Sequence, residues 1–433
     1  MRDWFCSHRF GNGHQVIIWC TLCLGLQASP ATSLAVRAAD QIVIEVEEFS
    51  GTTRAGSPVA YRIQLPAAVP RNTPFALFSA DVEPVGAQFT PADEFDRNTS
   101  TTAVDWWLDF NAELQPWQVR RYTIRHGAGV QPFEPLQSGH RLTKTEEAYQ
   151  VQNAPYITWT VPRDLAGLLR SCDFPPSEHL RPDSPGLMLR DRDGKEHLLG
   201  AGFHQGRVTR DGRRAVALRF NGESKEPELK GVRSTVDLIF PVPVSWVEVD
   251  WTVDDPNARV ADLGAVLNLA LDPPRGDAPT LVDFGASSWI YASLHGKQTA
   301  ELVATNAAHG VSSNGAPWQV LRGSAGKLVS MAAGRRETGQ PLVNAEGWAH
   351  IMDRQRCLAL AVDEFATASR DRIAFTADGV LRIWREEDRV ADARPATSHH
   401  LRFWMHFVFY PPQYSAGTSP RMMQTPPRIR TVE

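Results

Sequence analysis

Residues 399–410 (HHLRFWMHFVFY) hold the side chains with the clearest chemical potential. Ionisable and aromatic residues alternate there with apolar ones, and side chains of a strand point alternately to opposite faces. An imidazole exchanges protons near neutral pH, a guanidinium binds carboxylates, and an aromatic ring covers apolar surface. One face is therefore predicted to be core, and the other a row that suits a sugar ring. The members of that row are His400, Arg402, Trp404, His406 and Tyr410.

The strand expected over residues 244–253 has the same design, with Trp246, Glu248 and Asp250 on one face. If both strands belong to one sheet, their polar faces form a single concave surface. The alternative is a solvated outer face, which is usual for antiparallel sheets. Glu248 and Asp250 are the carboxylate pair available for hydrolysis, with Cα atoms about 7 Å apart.

A second cluster, residues 347–356 (GWAHIMDRQR), places His350, Asp353 and Arg356 just before an apolar strand. Turn residues at the mouth of a strand often carry function. Elimination beside the carboxylate of a uronic acid requires a cation and a base, and an Arg with a His supplies both. The alternative is a turn in which Asp353 and Arg356 pair only with each other.

Strand patterns dominate the chain, which has 433 residues with 31 Pro and 31 Gly. Three Asp-Gly pairs supply the positive-φ residues of tight hairpins, and Asp378-Gly379 is the strongest hairpin prediction because apolar segments flank it. Short helices are expected only at residues 165–172 and 364–372. The pattern predicts an all-β fold of antiparallel sandwiches.

The first 38 residues have the features of a secretion signal. Arg2 and Arg9 precede an apolar run, residues 16–26, that is too short to span a bilayer, and a cleavage site follows at Ala38. A secreted or periplasmic protein without integral membrane association is therefore expected; a retained anchor is the alternative. The net charge of −4 and the lack of a basic stripe argue against nucleic acid as a partner.

Composition divides the rest of the chain into a first domain over residues 40–127, a large domain over 140–410, and a Pro-rich tail over 411–433, expected to run extended along the surface. Cys172 and Cys357 follow the signal and form either one disulfide or two buried thiols. No metal or nucleotide motif occurs in the sequence, so no cofactor and no metal are expected.

Four segments resemble the exo-rhamnogalacturonan lyase-like family. Residues 57–62 (SPVAYR), 107–114 (WLDFNAEL) and 122–127 (YTIRHG) resemble its N-terminal β-domain, and Trp348, Asp353 and Arg356 fit its G-W-x₄-D-x₂-R pattern. The resemblance implies a small N-terminal β-sandwich followed by a large antiparallel super-sandwich of the galactose-mutarotase-like kind. Residues 64–67 (QLPA) depart from the family's glycine-valine-proline loop. The family's helical toroid has no counterpart here, which favours a binding protein if that toroid is needed for catalysis.

The expected function is thus an exported carbohydrate-active or carbohydrate-binding protein acting on uronic-acid-containing polysaccharide, with β-elimination as the reaction if it is an enzyme. The alternative is a non-catalytic cell-surface or assembly protein with an aromatic ligand-binding face. In a lyase, an Arg would neutralise the carboxylate and a His would remove the adjacent proton. The candidate catalytic residues are His350, Arg356, His400, Arg402 and His406, and the candidate carbohydrate-binding residues are Trp246, Trp348, Asp353, Trp404 and Tyr410.

Overall fold

A computed structural model describes most of the chain as antiparallel β-structure. The strands form two groups, each with its own hydrophobic core, and one short helix lies near the end of the described residues. The described residues are 40–92, 100–133, 139–153, 156–272, 278–286, 289–305, 316–324, 326–334, 344–367, 369–387, 396–413 and 419–432.

The elements are numbered along the chain. The first group contains β1 (Asp40–Glu47), β2 (Arg54–Pro70), β3 (Phe75–Ser79), β4 (Pro84–Val85), β5 (Ala87–Pro91), β6 (Thr102–Leu114) and β7 (Val119–His126). The second group contains β8 (Arg141–Lys144), β9 (Ala148–Asn153), β10 (Ile157–Pro162), β11 (Ser171–Phe174), β12 (Ser177–Glu178), β13 (Gly186–Asp191), β14 (Glu196–Leu198), β15 (His204–Asp211), β16 (Ala215–Glu223), β17 (Arg233–Pro241), β18 (Trp246–Asp254), β19 (Val260–Asn268), β20 (Thr280–Gly285), β21 (Trp289–Leu294), β22 (Gln298–Thr305), β23 (Trp318–Ser324), β24 (Lys327–Ala333), β25 (Trp348–Met352), β26 (Arg356–Val362), β27 (Ser369–Thr376), β28 (Val380–Glu387) and β29 (Ser398–Phe409). Helix α1 (Pro420–Met423) and β30 (Arg428–Val432) follow.

The N-terminal sandwich consists of two sheets, with the strand orders β30-β1-β7-β3-β4 and β2-β6-β5. Its core is formed by alternating apolar residues of both sheets, among them Trp106, Phe110 and Ile124. The tail contributes to it directly, because β30 pairs antiparallel with β1. The segment after residue 410, for which we expected an extended path, thus contains a one-turn helix and a sheet strand in its described part.

The large domain contains three sheets around one core. Their strand orders are β12-β11-β10-β9-β8, β14-β13-β19-β28-β27-β22-β23-β24 and β15-β16-β17-β18-β29-β26-β25-β20-β21. Side chains from all three, such as Trp159, Phe375 and Phe403, share a single buried cluster. The expectation of an all-β fold with a small N-terminal sandwich and a large antiparallel super-sandwich is confirmed.

The hairpin predicted at Asp378-Gly379 is confirmed. Strands β27 and β28 pair antiparallel on either side of it, and Gly379 has a φ of 89°, which an L-residue adopts only at a cost. The two expected short helices are wrong. Leu165 and Leu168 have positive φ angles that belong to turns, and residues 364–372 contain a turn followed by the start of β27.

Cys172 and Cys357 are two buried thiols and form no disulfide. Burial raises the pKa of both thiols well above the usual range, because a thiolate would lose its hydration. Both are therefore structural residues that resist oxidation in the folded protein.

Among the described residues, no helix is long and apolar enough to cross a membrane.

His197 is expected to make the stability of the protein fall as the pH rises. Its buried imidazole lies 2.7 Å from Glu226 Oε2 and 2.8 Å from Asp191 Oδ2. Burial alone would lower the pKa of His197, but these hydrogen bonds raise it above its ordinary value. The stabilisation is complete below the unfolded-state pKa and is lost as the pH rises through the folded-state pKa.

The variant His197→Gln tests this expectation. It should lower the free energy of unfolding by about 2 kcal/mol near pH 6, and by less at higher pH. Chemical denaturation of both proteins from pH 6 to pH 9 measures the difference. A difference that does not shrink with pH would contradict it.

Candidate functional site

Strand β29, which holds the predicted chemical row, is the central strand of the nine-stranded sheet. It pairs with β18 on one side and with β26 on the other, and β25, β20 and β21 follow towards the edge. The register places Trp246 opposite His406 and Glu248 opposite Trp404. The hypothesis that the two aromatic strands share a sheet face is therefore supported by their pairing.

Two aligned rows cross this outer sheet face from β29 to the edge strand. Because cross-strand partners point to the same side, each row collects residues from five strands. The first row contains Trp404, Ala361, Trp348, Gly285 and Trp289. The second row contains His406, Ala359, His350, Asp283 and Tyr291.

The middle of both rows is buried. Trp404 is only 2% exposed, and Trp246, Trp348, His350 and His406 are buried as well. Met423 of α1 packs in one cluster with three of these tryptophans, whose other members are Val244 and Ala361. A sugar ring thus has no access to Trp404 in this structure, although the sequence places it in the ligand-facing row.

The end of helix α1 is fixed above the sheet by the side chain of Gln424. Its amide nitrogen lies 2.7 Å from the carbonyl oxygens of both Glu346 and Val362, and 3.2 Å from that of Gly347. These carbonyls lie at the start of β25 and the end of β26, so the helix covers the part of the first row that holds Trp348, Ala361 and Trp404. No local sequence pattern predicts that α1 lies over these tryptophans, because its position depends on contacts between distant segments.

The solvent-facing end of the β29 row is a set of ion pairs. His400 Nε2 lies 2.8 Å from Asp250 Oδ1, and Arg402 Nη2 lies 2.7 Å from Glu248 Oε1. The hydrogen bond that the imidazole donates to Asp250 raises the pKa of His400, so this imidazole holds its proton at higher pH than usual. A protonated His and an Arg already engaged by a carboxylate fit an electrostatic brace better than the base and cation of an elimination.

The turn between β25 and β26 is built on Asp353. Its carboxylate accepts hydrogen bonds from the backbone N–H groups of Gln355 and Arg356, both at 2.7 Å, and the Arg356 guanidinium lies 3.3 Å from it. Arg356 stands opposite Phe409 in the register, on the sheet face that His406 does not share. Asp353 and Arg356 therefore stabilise a turn, and both also contact Asp272.

His350 is paired with a carboxylate. Its Nδ1 lies 2.5 Å from Asp283 Oδ1, and the Trp348 ring contacts the imidazole edge to face at 5.4 Å. The Trp348 indole itself lies over Gly285, where a Cβ atom would come within 2.2 Å of the ring, and it donates to Glu346 at 2.6 Å. This packing holds both rings in fixed positions, and Trp348 also packs with Met423 of α1.

A cleft with a volume of about 590 Å³ opens where β29 ends. Volumes of this size are typical of small-molecule sites. Phe409 and Phe174 stack at 4.3 Å in its wall, and Tyr410 is 41% exposed at its mouth. The lining residues are Asn153, Tyr156, Ile157, Phe174, Pro243, Val244, Ser245, His406, Val408, Phe409, Tyr410, Pro411 and Gln413.

This aromatic cleft joins two of the predicted residues, Tyr410 and His406, to residues that the sequence did not suggest. Tyr156 and Phe174 come from the β8–β12 sheet, which contacts β29 through the fold and not through the sequence. Phe409, expected in the core by alternation, is 39% exposed because the strand leaves the sheet there. Among the described lining residues, none is Arg, Lys, Asp or Glu.

Trp289 and Tyr291 lie on β21, and the structure exposes both rings. They are 75% and 55% exposed, and β21 is the edge strand of the sheet. The intervening Ile290 and the following Ala292 point to the core, so the alternation is intact. Only the position of the strand in the sheet, which local patterns do not encode, leaves these rings in solvent.

The described residues contain no group of three or more His, Cys, Asp or Glu side chains placed to hold a metal.

No protein-family model and no curated protein matches the sequence. Solved structures share its fold. An α-mannosidase from Enterococcus faecalis V583 aligns with 91% of this chain and 46% of its own length, at a TM-score of 0.52 and 8% identity. A protein in the glycosyl hydrolase family 38, also from Enterococcus faecalis, aligns with 91% of this chain and 47% of its own length, at a TM-score of 0.51 and 8% identity.

A galactose mutarotase-like protein from Clostridium acetobutylicum aligns with 63% of this chain and 100% of its own, at a TM-score of 0.35 and 9% identity. The chain spans about half the length of the two Enterococcus structures. The likeness to these two structures shows a common fold.

Proposed function

We propose that the protein binds carbohydrate and that the aromatic cleft at the end of β29 receives a sugar ring. The observation that carries the proposal is the cleft itself, a volume of about 590 Å³ in which aromatic side chains meet a few polar groups. Exposed aromatic rings on a globular protein usually mark a binding surface. An α-mannosidase shares the fold, which makes sugars the first ligand class to test.

The chemistry of the cleft fits a sugar better than a purely apolar ligand. The rings of Tyr410 and Tyr156 offer flat faces for the C–H side of a pyranose. The amides of Asn153 and Gln413, with the imidazole of His406, can exchange hydrogen bonds with hydroxyl groups. Apolar walls with a small number of orienting polar groups are the usual design of a small-molecule site.

The ligand that this lining favours is a neutral sugar. A buried carboxylate requires a cation or several hydrogen bonds, and the described lining residues include no Lys or Arg. Arg402 and Arg356, which the sequence offered for a uronic acid, are engaged by Glu248 and Asp353 outside the cleft. A neutral hexose or deoxyhexose therefore ranks above a uronic acid.

Replacing Tyr410 by Ala tests the cleft. We expect the affinity for a neutral oligosaccharide to fall ten- to a hundredfold, since burying one aromatic ring contributes about 1.5–3 kcal/mol. Isothermal titration calorimetry with a panel of neutral and uronic-acid oligosaccharides measures the change. Tyr410→Phe keeps the ring and should retain most of the affinity.

Phe133→Ala, which removes an exposed ring outside the cleft lining, serves as the control. It should bind like the parent protein. Unchanged binding by Tyr410→Ala, or no binding of any sugar by the parent protein, would overturn the proposal.

Polysaccharide β-elimination, as in the exo-rhamnogalacturonan lyase-like family, is a second candidate. The observation that favours it is His406, an imidazole that lines the same cleft and could remove a proton from a bound sugar. Incubation with uronic-acid polysaccharides would then raise the ultraviolet absorbance of the unsaturated product. If absorbance rises on no substrate while binding is retained, the protein is a binding protein and not a lyase.

Under both functions we propose that the protein is exported, as residues 1–38 suggest.

A further inference from the structure

The edge strand β21 presents a second pair of aromatic rings, which is not part of the aromatic cleft. Trp289 and Tyr291 lie two positions apart on one strand face, so their Cα atoms are about 7 Å apart. Both are among the most exposed large aromatic side chains of the described residues. Placing two large rings in water has a cost, which a ligand that covers them would recover.

Polar groups flank these rings on the next two strands. Asp283 stands directly opposite Tyr291 in the register, and the Asp283 carboxylate is held by His350. Trp289 contacts Trp348 edge to face at 5.6 Å, and the Trp348 N–H is bound to Glu346. Two ring faces with carboxylates at their side offer apolar contact and hydrogen-bond acceptors together, which is what a hydroxylated ring requires.

The pair lies on the same sheet face as His406 of the aromatic cleft, and Tyr291 lies in the same row as His406. Tyr291 is four strands from His406, through Asp283, His350 and Ala359. At ~4.8 Å per strand, the two positions are separated by roughly 19 Å. A monosaccharide cannot reach from one to the other, whereas a chain of several sugar units can.

We propose that Trp289 and Tyr291 form a second carbohydrate contact and that the ligand of this protein is a polysaccharide held at both places. This proposal rests on the proposed function, because the cleft supplies the first contact. Binding at the second place is then intramolecular, and it raises the affinity for a long chain without any new contact in the cleft. Short sugars gain nothing from it.

The test compares one neutral polysaccharide with its own mono- or disaccharide unit. The parent protein should bind the polymer at least tenfold more tightly, per chain, than the short sugar. In the double variant Trp289→Ala/Tyr291→Ala, this preference should vanish while the affinity for the short sugar stays unchanged. Trp117→Asn is the matched control, since Trp117 is an equally exposed tryptophan of the N-terminal sandwich with a φ of 62° that Asn tolerates.

The outcomes separate the two proposals. A double variant that keeps the preference for the polymer would overturn the second contact and leave the cleft intact. A parent protein that binds neither form would overturn the carbohydrate function itself. Equal loss of preference in Trp117→Asn would assign the polymer contact to exposed rings in general and overturn the role of β21. Circular dichroism of each variant excludes loss of the fold as the cause.

Discussion

Replacing Glu48 by Gln is expected to lower the free energy of unfolding by about 3–5 kcal/mol, since it leaves a buried cation without its partner. Arg54 is 1% exposed and lies 3.4 Å from Glu48 Oε1. The Glu48 carboxylate also accepts the backbone N–H groups of Gly51 at 2.8 Å and Trp117 at 3.2 Å. A glutamine amide would turn its own N–H groups towards some of these donors.

The same change should loosen the cover of the aromatic rows. Arg54 donates hydrogen bonds to the carbonyl oxygens of Met422 and Thr425, so it attaches α1 to the N-terminal sandwich. Chemical denaturation measures the stability, and the difference in tryptophan fluorescence between the parent protein and a variant that also carries Trp404→Phe reports on the exposure of Trp404. Glu45→Gln is the control: Glu45 pairs with Arg121 and Arg430, whose side chains are exposed, and should matter little. Equal effects of the two substitutions would contradict the assigned role of Glu48.

Lowering the pH from 6.5 to 4 is expected to reduce the free energy of unfolding by about 3 kcal/mol for each of two buried histidines. Burial lowers the pKa of His140 and His204 to about 4, because neither imidazole can be hydrated when charged. The unfolded chain takes up these protons at about pH 6.5 and the folded chain does not. Stability is therefore complete above 6.5 and is lost as the pH falls towards 4. The combined loss from the two histidines is comparable to the whole free energy of unfolding of an ordinary domain.

His204→Gln isolates one of these contributions. The amide stays neutral and can still reach Ser234, whose hydroxyl lies 2.9 Å from His204 Nε2. The variant should lose about 3 kcal/mol less than the parent between pH 6.5 and 4 by urea denaturation. His400→Gln is the control, because the pKa of His400 is raised and its effect lies at higher pH. An identical acid profile for His204→Gln and the parent would refute the prediction.

Much of the fold follows from local patterns. The alternation of Leu401, Phe403, Met405 and Phe407 predicts a core face, and all four are fully buried. The Asp378-Gly379 hairpin follows equally well from turn chemistry. Such features depend on neighbours in the sequence, so one chain is enough to predict them. The strand partners of β29 come from distant parts of the sequence, so local patterns do not predict their order in the sheet.

The site was harder to predict, because exposure depends on distant segments. Trp404 and Trp289 have similar local surroundings, with polar and apolar residues in alternation. The first lies at the sheet centre beneath Met423 and is buried, whereas the second lies on an edge strand and is open. Neither the covering helix nor the edge leaves a periodic signal. The sequence therefore indicated which side chains share a sheet face, but not which of its rings meet solvent.

The pairing of β1 with β30 has a consequence for synthesis. Glu45 and Arg430, which face each other across that pair, are 385 residues apart, so the first sheet lacks its outer strand until the last described residues leave the ribosome. During that time the edge of β1 is an unprotected template for other strands. The large domain, whose strands lie between the two, can assemble earlier. We expect a nascent chain to need shielding of its first strand until translation has passed residue 432.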